Sequence, residues 1–598
     1  MSSGDPRQEY QRRQFVWDAE IARTESRHVL VSNLRLALVA LAVLLLWLGL
    51  SRHVLGAAWV LAPVGLFLAL LVAHARILNA RDRALRARRY YDRGVSRLDG
   101  SWKGAGADGA RYNEGHPYAR DLDLFGPASL FQLLNTARTE SGEDTLADWL
   151  RAPASPSDIA LRQAAVVELR GCLDFREALA VFAADARVSR TGVLARWAAT
   201  MPAGLGPLQA RVLAACAAVT AVVVGLMLID RLPTLTAIAW VSVQGVLALV
   251  WRRKVRQALG SVDAAAYDLA LLAGLLERIE DARFSSPRLS ALHDALHDGL
   301  KAGGMPPSRR IAQLQWYLAA RDSLRNEFVR PFALLLLVRS QSAVAIDRWH
   351  AAHRAHLEGW LQAVGEFEAL ASLATYAFEH PDDPFPVVES GPPLFDARAL
   401  AHPLIASGVA VRNDVRIGGG HPHVLIVSGS NMSGKSTLLR AMGANVVLAL
   451  AGAPVRARSM RVSPLTIGAT IRVQDSLEDG QSRFYAEILR IRDIVAAAGR
   501  GPGLFLLDEI LHGTNSHDRR IGAAAIVQAL VNAGAIGLVT THDLALAALT
   551  DALGAQARNI HFEDRIEDGV MRFDYLMRDG VVTRSNALEL MRAVGLKV

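Results

Sequence analysis

Apolar residues fall in three textures along the chain. Two pairs of long apolar runs dominate the first half. Leu36–Leu50 and Val54–Ala73 are parted only by Ser51, Arg52 and His53, and Val212–Ile229 and Leu232–Trp251 only by Asp230 and Arg231. A membrane-spanning helix needs about 20 apolar residues. Three runs approach that length unaided, and the first reaches it if Val29–Val31 joins it and Arg35 snorkels. Each pair predicts a helical hairpin, spanning about 30–50 with 54–73 and 212–229 with 232–251. The competing reading is a pair of buried hairpins in a large soluble core. Between Asp121 and Thr200, and again from Ser261 to Phe378, apolar positions recur at helical spacing, as in Leu130, Leu133, Leu134 and then Leu146, Trp149, Leu150. The run Phe332–Val338 is too short to span and predicts a core segment.

The texture changes after Pro381–Pro393, which holds five of the 23 prolines and predicts a linker. Beyond it, short β runs at Val424–Val427, Leu504–Leu507 and Ile536–Thr540 alternate with helices, the mark of a parallel sheet with crossover helices. The predicted organisation is multidomain. Residues 1–95 form an N-terminal region with the first hairpin, 96–205 a helical segment, 206–256 the second hairpin, 257–380 more helix, 381–393 the linker and 394–598 an α/β domain.

Composition sharpens this picture. With 51% apolar and 21% charged residues among 598, disorder is excluded for most of the chain. Two cysteines, Cys172 and Cys216, exclude a disulfide scaffold or a cysteine zinc cluster and suit a reducing compartment. The net charge of +8 is almost all arginine, with only five lysines. It permits contact with nucleic acid or anionic lipid without specifying either. Arginines crowd both flanks of the first hairpin, and Arg252, Arg253, Lys254 and Arg256 follow the second. The positive-inside rule then predicts a multi-pass protein of the cytoplasmic (inner) membrane with both termini and every large segment in the cytoplasm.

The candidate chemistry lies in the α/β region. Strand Val424–Val427 runs into Gly429-Ser430-Asn431-Met432-Ser433-Gly434-Lys435-Ser436-Thr437, then a helix, which is the P-loop pattern in its proper setting. The glycines let backbone N–H groups fold around phosphate oxygens, and the helix N-terminus adds partial positive charge. Lys435 suits the β- and γ-phosphates of ATP, and the Ser436 hydroxyl suits Mg2+. Leu504–Leu507 leads into Asp508, placed for Mg2+, and Glu509, placed to polarise an attacking water. Ile536–Thr540 leads to His542 at the sheet's C-terminal edge, where it can bond the γ-phosphate or that water. Alone, His542 would read as a surface histidine; the other two motifs reverse that. Gly480 and Ser482 open a further helix. Their plain reading is an N-cap, and their functional reading is a signature segment meeting the γ-phosphate held by a second subunit.

These residues resemble the MutS mismatch-repair ATPase family. GSNMSGKSTLLR is similar to its P-loop, which normally carries Pro at position 430 and Gly or Ala at 433. LFLLDEILHGTNSHD is similar to its Walker B and D-loop, DGQSRFYAEI to its signature helix and TTHD to its switch histidine. His402-Pro403 and Asn413-Asp414 match its lead-in, and the resemblance sets Asn413 near the nucleotide. Asp121–Pro153 resembles the start of the helical core and lever domain. The resemblance implies an ABC-type P-loop ATPase domain, ATP and Mg2+ as cofactors, a homodimer with Ser482 acting in trans, and double-stranded DNA held mainly by its phosphate backbone. It departs from the family in residues 1–120, where a membrane hairpin stands instead of the Phe-x-Glu wedge domain, and in the hairpin that interrupts the helical region. Mismatch specificity is therefore not expected. Two other readings compete: a transporter subunit of ABC type, and a membrane-anchored nucleotide-gated scaffold with no DNA role. The 45 residues from Lys435 to Gly480 are too few for a transporter's helical insertion, and Ile510 replaces the transporter's usual proline.

Overall fold

The computed structural model describes residues 5–51, 59, 61–182, 191–297, 304–322, 327, 329–430, 432–472, 483–511, 515–542, 547–567 and 570–582. The first pair of apolar runs belongs to two helices much longer than the runs themselves, α1 Pro6–Ser51 and α2 Leu61–Leu98. Their arginine-rich ends stay helical because Glu9, Asp18 and Glu25 pair with Arg13, Arg88 and Arg81 within and between the two. Short helices follow: α3 Leu130–Leu134, α4 Glu140–Arg151, α5 Pro156–Gly171, α6 Leu173–Phe182 and α7 Thr191–Ala199. Ser129, Thr139 and Ser155 cap three of them by accepting from the N–H three residues on. The second hairpin is α8 Pro207–Leu228 and α9 Thr234–Asp263. Among the described residues, α1, α2, α8 and α9 are the helices long and apolar enough to cross a membrane, and at most 17% of any of their most apolar windows is buried.

Helices α10 Ala266–Asp281, α11 Pro287–His297, α12 Pro307–Asp322 and α13 Arg330–Leu335 pack around a 42-residue pillar, α14 Val338–Glu379. The pillar touches α8 and α9 as well as α4 and α5. At its far end Glu379 accepts a bidentate pair from Arg97 of α2 and the hydroxyl of Tyr10. The predicted core role for Phe332–Val338 is overturned: Phe332 is 67%, Leu334 56% and Leu336 38% exposed. The run is a short helix and a turn, too brief to reach the core on more than one side.

The proline-rich stretch is packed rather than free. Val387–Val388 (β1) pairs with Ser459–Val462 (β5), and Asp383 is buried on Arg456 at 2.9 Å. This small sheet has the order β1-β5-β2-β3, with β2 Leu394–Leu400 and β3 Asn413–Gly418. The main sheet has the order β10-β9-β4-β8-β7-β6. Its strands are β4 Val424–Ser428, β6 Thr466–Thr470, β7 Gly503–Leu507, β8 Ile536–Thr541, β9 Ala557–Glu567 and β10 Val570–Asp579. All neighbours are parallel except β9 with β10. β4, β7 and β8 are buried throughout, as continuous apolar strands covered on both faces must be. Helices α15 Lys435–Ala451, α16 Arg483–Ala498 and α17 Ser516–Asn532 supply crossovers.

One segment ties the helical body to this domain. Asp121, fully buried, accepts the backbone N–H groups of Ile471 and Arg472 at 2.7 Å each and pairs with Arg490 of α16. Beside it Leu122 fills the space a side chain on Gly443 of α15 would need.

Candidate functional site

Three adjacent parallel strands, β4, β8 and β7, end at the same edge of the sheet, so the residues following them converge. From β4 the chain turns through Gly429, at φ 148°, and Gly434, at φ 107°, into α15. Any side chain on Gly429 would strike Ser433 Oγ at 2.9 Å and the Phe562 carbonyl at 3.0 Å. The hydroxyls of Ser430 and Ser433 are buried without a hydrogen-bond partner among the described residues. Orphaned hydroxyls beside a tight glycine loop at a helix N-terminus suit phosphate oxygens. Ser436 and Thr437 follow on the first turn of α15 and line the same cavity, which measures about 510 Å³.

Lys435 is 4% exposed. Its Nζ donates to the carbonyls of Gly429 at 2.7 Å and Ser430 at 2.8 Å, and lies 3.7 Å from Glu509 Oε1. Burial pushes its pKa down, opposed by the carboxylates of Glu509 and Asp508. Glu509 follows β7 at φ 48°, a strained backbone for a residue with a Cβ. Its N–H donates to Thr540 Oγ1 at 3.0 Å, while that hydroxyl donates to Asp508 Oδ1 at 2.5 Å. Thr540 of β8 therefore fixes both acids. His542 follows β8; its Nε2 meets Glu509 Oε1 and its Nδ1 lies 3.2 Å from the Gly429 carbonyl. A cation, a carboxylate and an imidazole thus meet at one loop, able to hold a phosphate chain and orient a water against it.

The cavity's far wall comes from the small sheet and its flanking turn: His402, Ile405, Val411 and Asn413. Burial holds His402 down at about 4, so it is neutral at physiological pH, with Nδ1 accepting from Leu404 N–H at 3.2 Å. Asn413 lines the cavity as expected, but its amide is engaged with the chain. Nδ2 donates to the Tyr575 carbonyl at 3.0 Å and Oδ1 accepts from Met577 N–H at 2.8 Å. This braces a bulge in β10 where Tyr575, at φ 55°, comes over Gly434. Sequence reading missed Tyr575, which lies 141 positions from Gly434 with no motif around it, and Thr540, whose place in TTHD was the available signal. Met432, 84% exposed, stands at the cavity mouth. Asn431 and Ser482 lie outside the described residues.

Fold and site together define a class: a parallel α/β domain whose converging strand ends carry a glycine loop built for phosphate. Residues 425–597 match the family model of MutS domain V. The chain is 33% identical over 271 residues to "DNA mismatch repair protein MutS 2" of Halobacterium salinarum, covering 44% of this chain and 30% of that protein. It is 31% identical over 309 residues to "DNA mismatch repair protein MutS" of Shouchella clausii, covering 48% and 34%. The C-terminal domain is thus similar to domain V of the MutS family. It spans about a third of the length of the curated relatives it matches.

Proposed function

We propose that this chain is a membrane-anchored MutS-type ATPase that couples ATP binding and hydrolysis to movement of its helical body. The observation that carries this is the convergence of Lys435, Glu509 and His542 on one glycine loop from three neighbouring strands. Lys435 neutralises the phosphate chain, the backbone N–H groups of 429–437 and the hydroxyls of Ser430 and Ser433 orient it, and Glu509 takes a proton from the attacking water with His542 holding the carboxylate in place. Ser436 and Asp508 would hold a Mg2+ ion, which supplies charge neutralisation at the phosphates. In a homodimer, Ser482 of the partner subunit completes the γ-phosphate contact. The experiment is steady-state ATP hydrolysis by the detergent-solubilised full chain. Wild type should turn over, and Glu509→Gln should fall to background; a wild type without turnover, or a variant that matches it, contradicts the reading.

The four apolar helices are read as spans of the inner membrane with the α/β domain in the cytoplasm, because so little of their most apolar windows is buried among the described residues. Any DNA bound is then chromosome near that membrane, held through arginine–phosphate contacts. Its affinity should fall steeply with salt, and its mismatch preference should be far below the ~10³-fold of specific recognition. Titrating matched and mismatched duplexes at two salt concentrations tests this. Mismatch preference that persists at high salt restores true mismatch sensing, and no binding at either concentration favours the DNA-free scaffold.

A further inference from the structure

We propose that residues 330–339 form a re-entrant segment that enters the bilayer from the cytoplasmic side beside the second hairpin, placing Phe332, Leu334 and Leu336 among lipid acyl chains. This rests on the reading of α8 and α9 as spans. The sequence RPFALLLLVR puts Pro331 and seven apolar residues between Arg330 and Arg339. Helix α13 runs into a turn at Leu336 and Leu337, with Leu337 at φ 52°, and α14 follows; in the proposed geometry α13 carries the chain in and α14 carries it out. Of the apolar side chains, Ala333 is buried, while Phe332, Leu334 and Leu336 stand exposed on the outer surface.

The position of the turn is set by a polar cluster within the hairpin. Gln244 of α9 is 3% exposed and Thr220 of α8 is 3% exposed. In the amide orientation that satisfies both ends of Gln244, its nitrogen donates to the Leu335 carbonyl at 3.2 Å. Its oxygen then accepts from Thr220 Oγ1 at 2.5 Å and Trp240 Nε1 at 3.3 Å. Gln244 precedes Trp251, the last apolar residue before Arg252 and Arg253, by seven positions, or about 10 Å along a helix. Half the hydrocarbon thickness is about 15 Å, so the turn reaches well into one leaflet. Arg330 and Arg339 lie within about 9 Å of helix rise from the turn, close enough for their side chains to reach the headgroups.

Backbone hydrogen bonding separates this turn from an ordinary surface loop. A chain in hydrocarbon must satisfy every carbonyl internally. The Leu334 carbonyl accepts from Leu337 N–H at 3.1 Å, Leu335 from Gln244, Leu336 from Gln341 Nε2 at 2.7 Å, and Leu337 from the N–H groups of Ser340 at 2.9 Å and Gln341 at 3.0 Å. Two of these five donors are side chains recruited for the purpose, one from another helix. A turn facing water has no need of them, since water would serve.

The test is depth measurement by spin-label accessibility. Single cysteines at 334, at 224 on α8 and at 521 on α17 are introduced in a chain with Cys172 and Cys216 replaced by serine, then labelled and reconstituted in phosphatidylcholine–phosphatidylglycerol vesicles. Val224 and Ile521 are 40% and 55% exposed, one on an apolar span and one on the α/β domain. The proposal expects label at 334 to collide with oxygen and be shielded from a water-soluble nickel chelate, as at 224 and unlike 521. A water-like 334 beside a lipid-like 224 overturns the insertion and leaves the spans intact. Water-like behaviour at both overturns the span reading itself. Label at Phe332→Cys repeats the measurement should the change at 334 disturb folding.

Discussion

Strand β4 and helix α8 are both built mainly from apolar residues and meet opposite surroundings. Val424–Ser428 is buried along its whole length, between neighbouring strands and beneath helices. Pro207–Leu228, rich in Val, Leu and Ala, leaves most of its side chains facing outward, with Val222 59% and Leu228 82% exposed. Apolar composition therefore locates an element without saying what covers it. For β4 the cover is the rest of the domain. For α8 the described residues supply α9 and the pillar α14, and much of its surface stays uncovered, which is what the proposed membrane span requires.

A buried charge breaks this contrast most sharply. Val427→Asp places an unpaired carboxylate inside the sheet and should cost more than about 4 kcal/mol, abolishing a cooperative thermal transition of the α/β domain. Val224→Asp would cost within about 0.5 kcal/mol if α8 faced water, but about 2.5–3.5 kcal/mol of insertion free energy if it faces lipid, read as loss of carbonate-resistant membrane association. Loss of membrane association from 224 alone supports the lipid reading.

The tie between the regions comes next. Asp121→Ala removes an acceptor from two backbone N–H groups and strands Arg490, and should destabilise the α/β domain by about 3–5 kcal/mol in urea unfolding. Asp121→Asn retains an acceptor and should cost less. Equal losses would mean the carboxylate charge, not the backbone bonds, matters.

His402 gives a pH signature confined to the α/β domain. Its pKa is about 4 in the fold and about 6.5 in the unfolded chain, so the unfolded state takes up the proton first. Stability is fully present above pH 6.5 and falls as pH drops towards 4, by about 1.4 kcal/mol per unit at most. The urea midpoint of His402→Asn should fall less steeply over that window; parallel slopes would remove His402 as a cause.

Smallest is the response of two glycines. A methyl on Gly537 of β8 would sit 2.1 Å from the Phe505 carbonyl, whereas Gly225 of α8 has nothing within 4 Å. Gly537→Ala should cost about 1–3 kcal/mol. Gly225→Ala should be neutral or stabilising by up to about 1 kcal/mol, both measured by thermal unfolding in detergent.

Much of the molecule was legible in its sequence because local pattern and local chemistry coincide there. The runs at Val424–Val427, Leu504–Leu507 and Ile536–Thr540 became β4, β7 and β8 within a residue at each end, since a strand buried on both faces must be continuously apolar. The acids and histidine after them follow from where such strands stop. What stayed hidden depends on partners distant in sequence. α1 begins at Pro6, about 30 residues before its apolar run, because its polar half is held by α2 rather than by hydrophobicity. Val387–Val388 joined a sheet inside a proline-rich stretch because β5 offered an edge. The run at 332–338 was misplaced because its length is equally that of a core segment, and a partner that holds it, Gln244, lies about 90 residues earlier.

The central claim, that Lys435 binds the phosphates while Glu509 acts on water, is tested most directly by equilibrium ATP binding to the full chain alongside its Lys435→Ala and Glu509→Gln variants, with hydrolysis followed in the same samples. Lys435→Ala should lose tight binding and turnover together. Glu509→Gln should hold ATP at least as well as wild type and fail to hydrolyse it. Equal loss of affinity in both variants would contradict this division of roles.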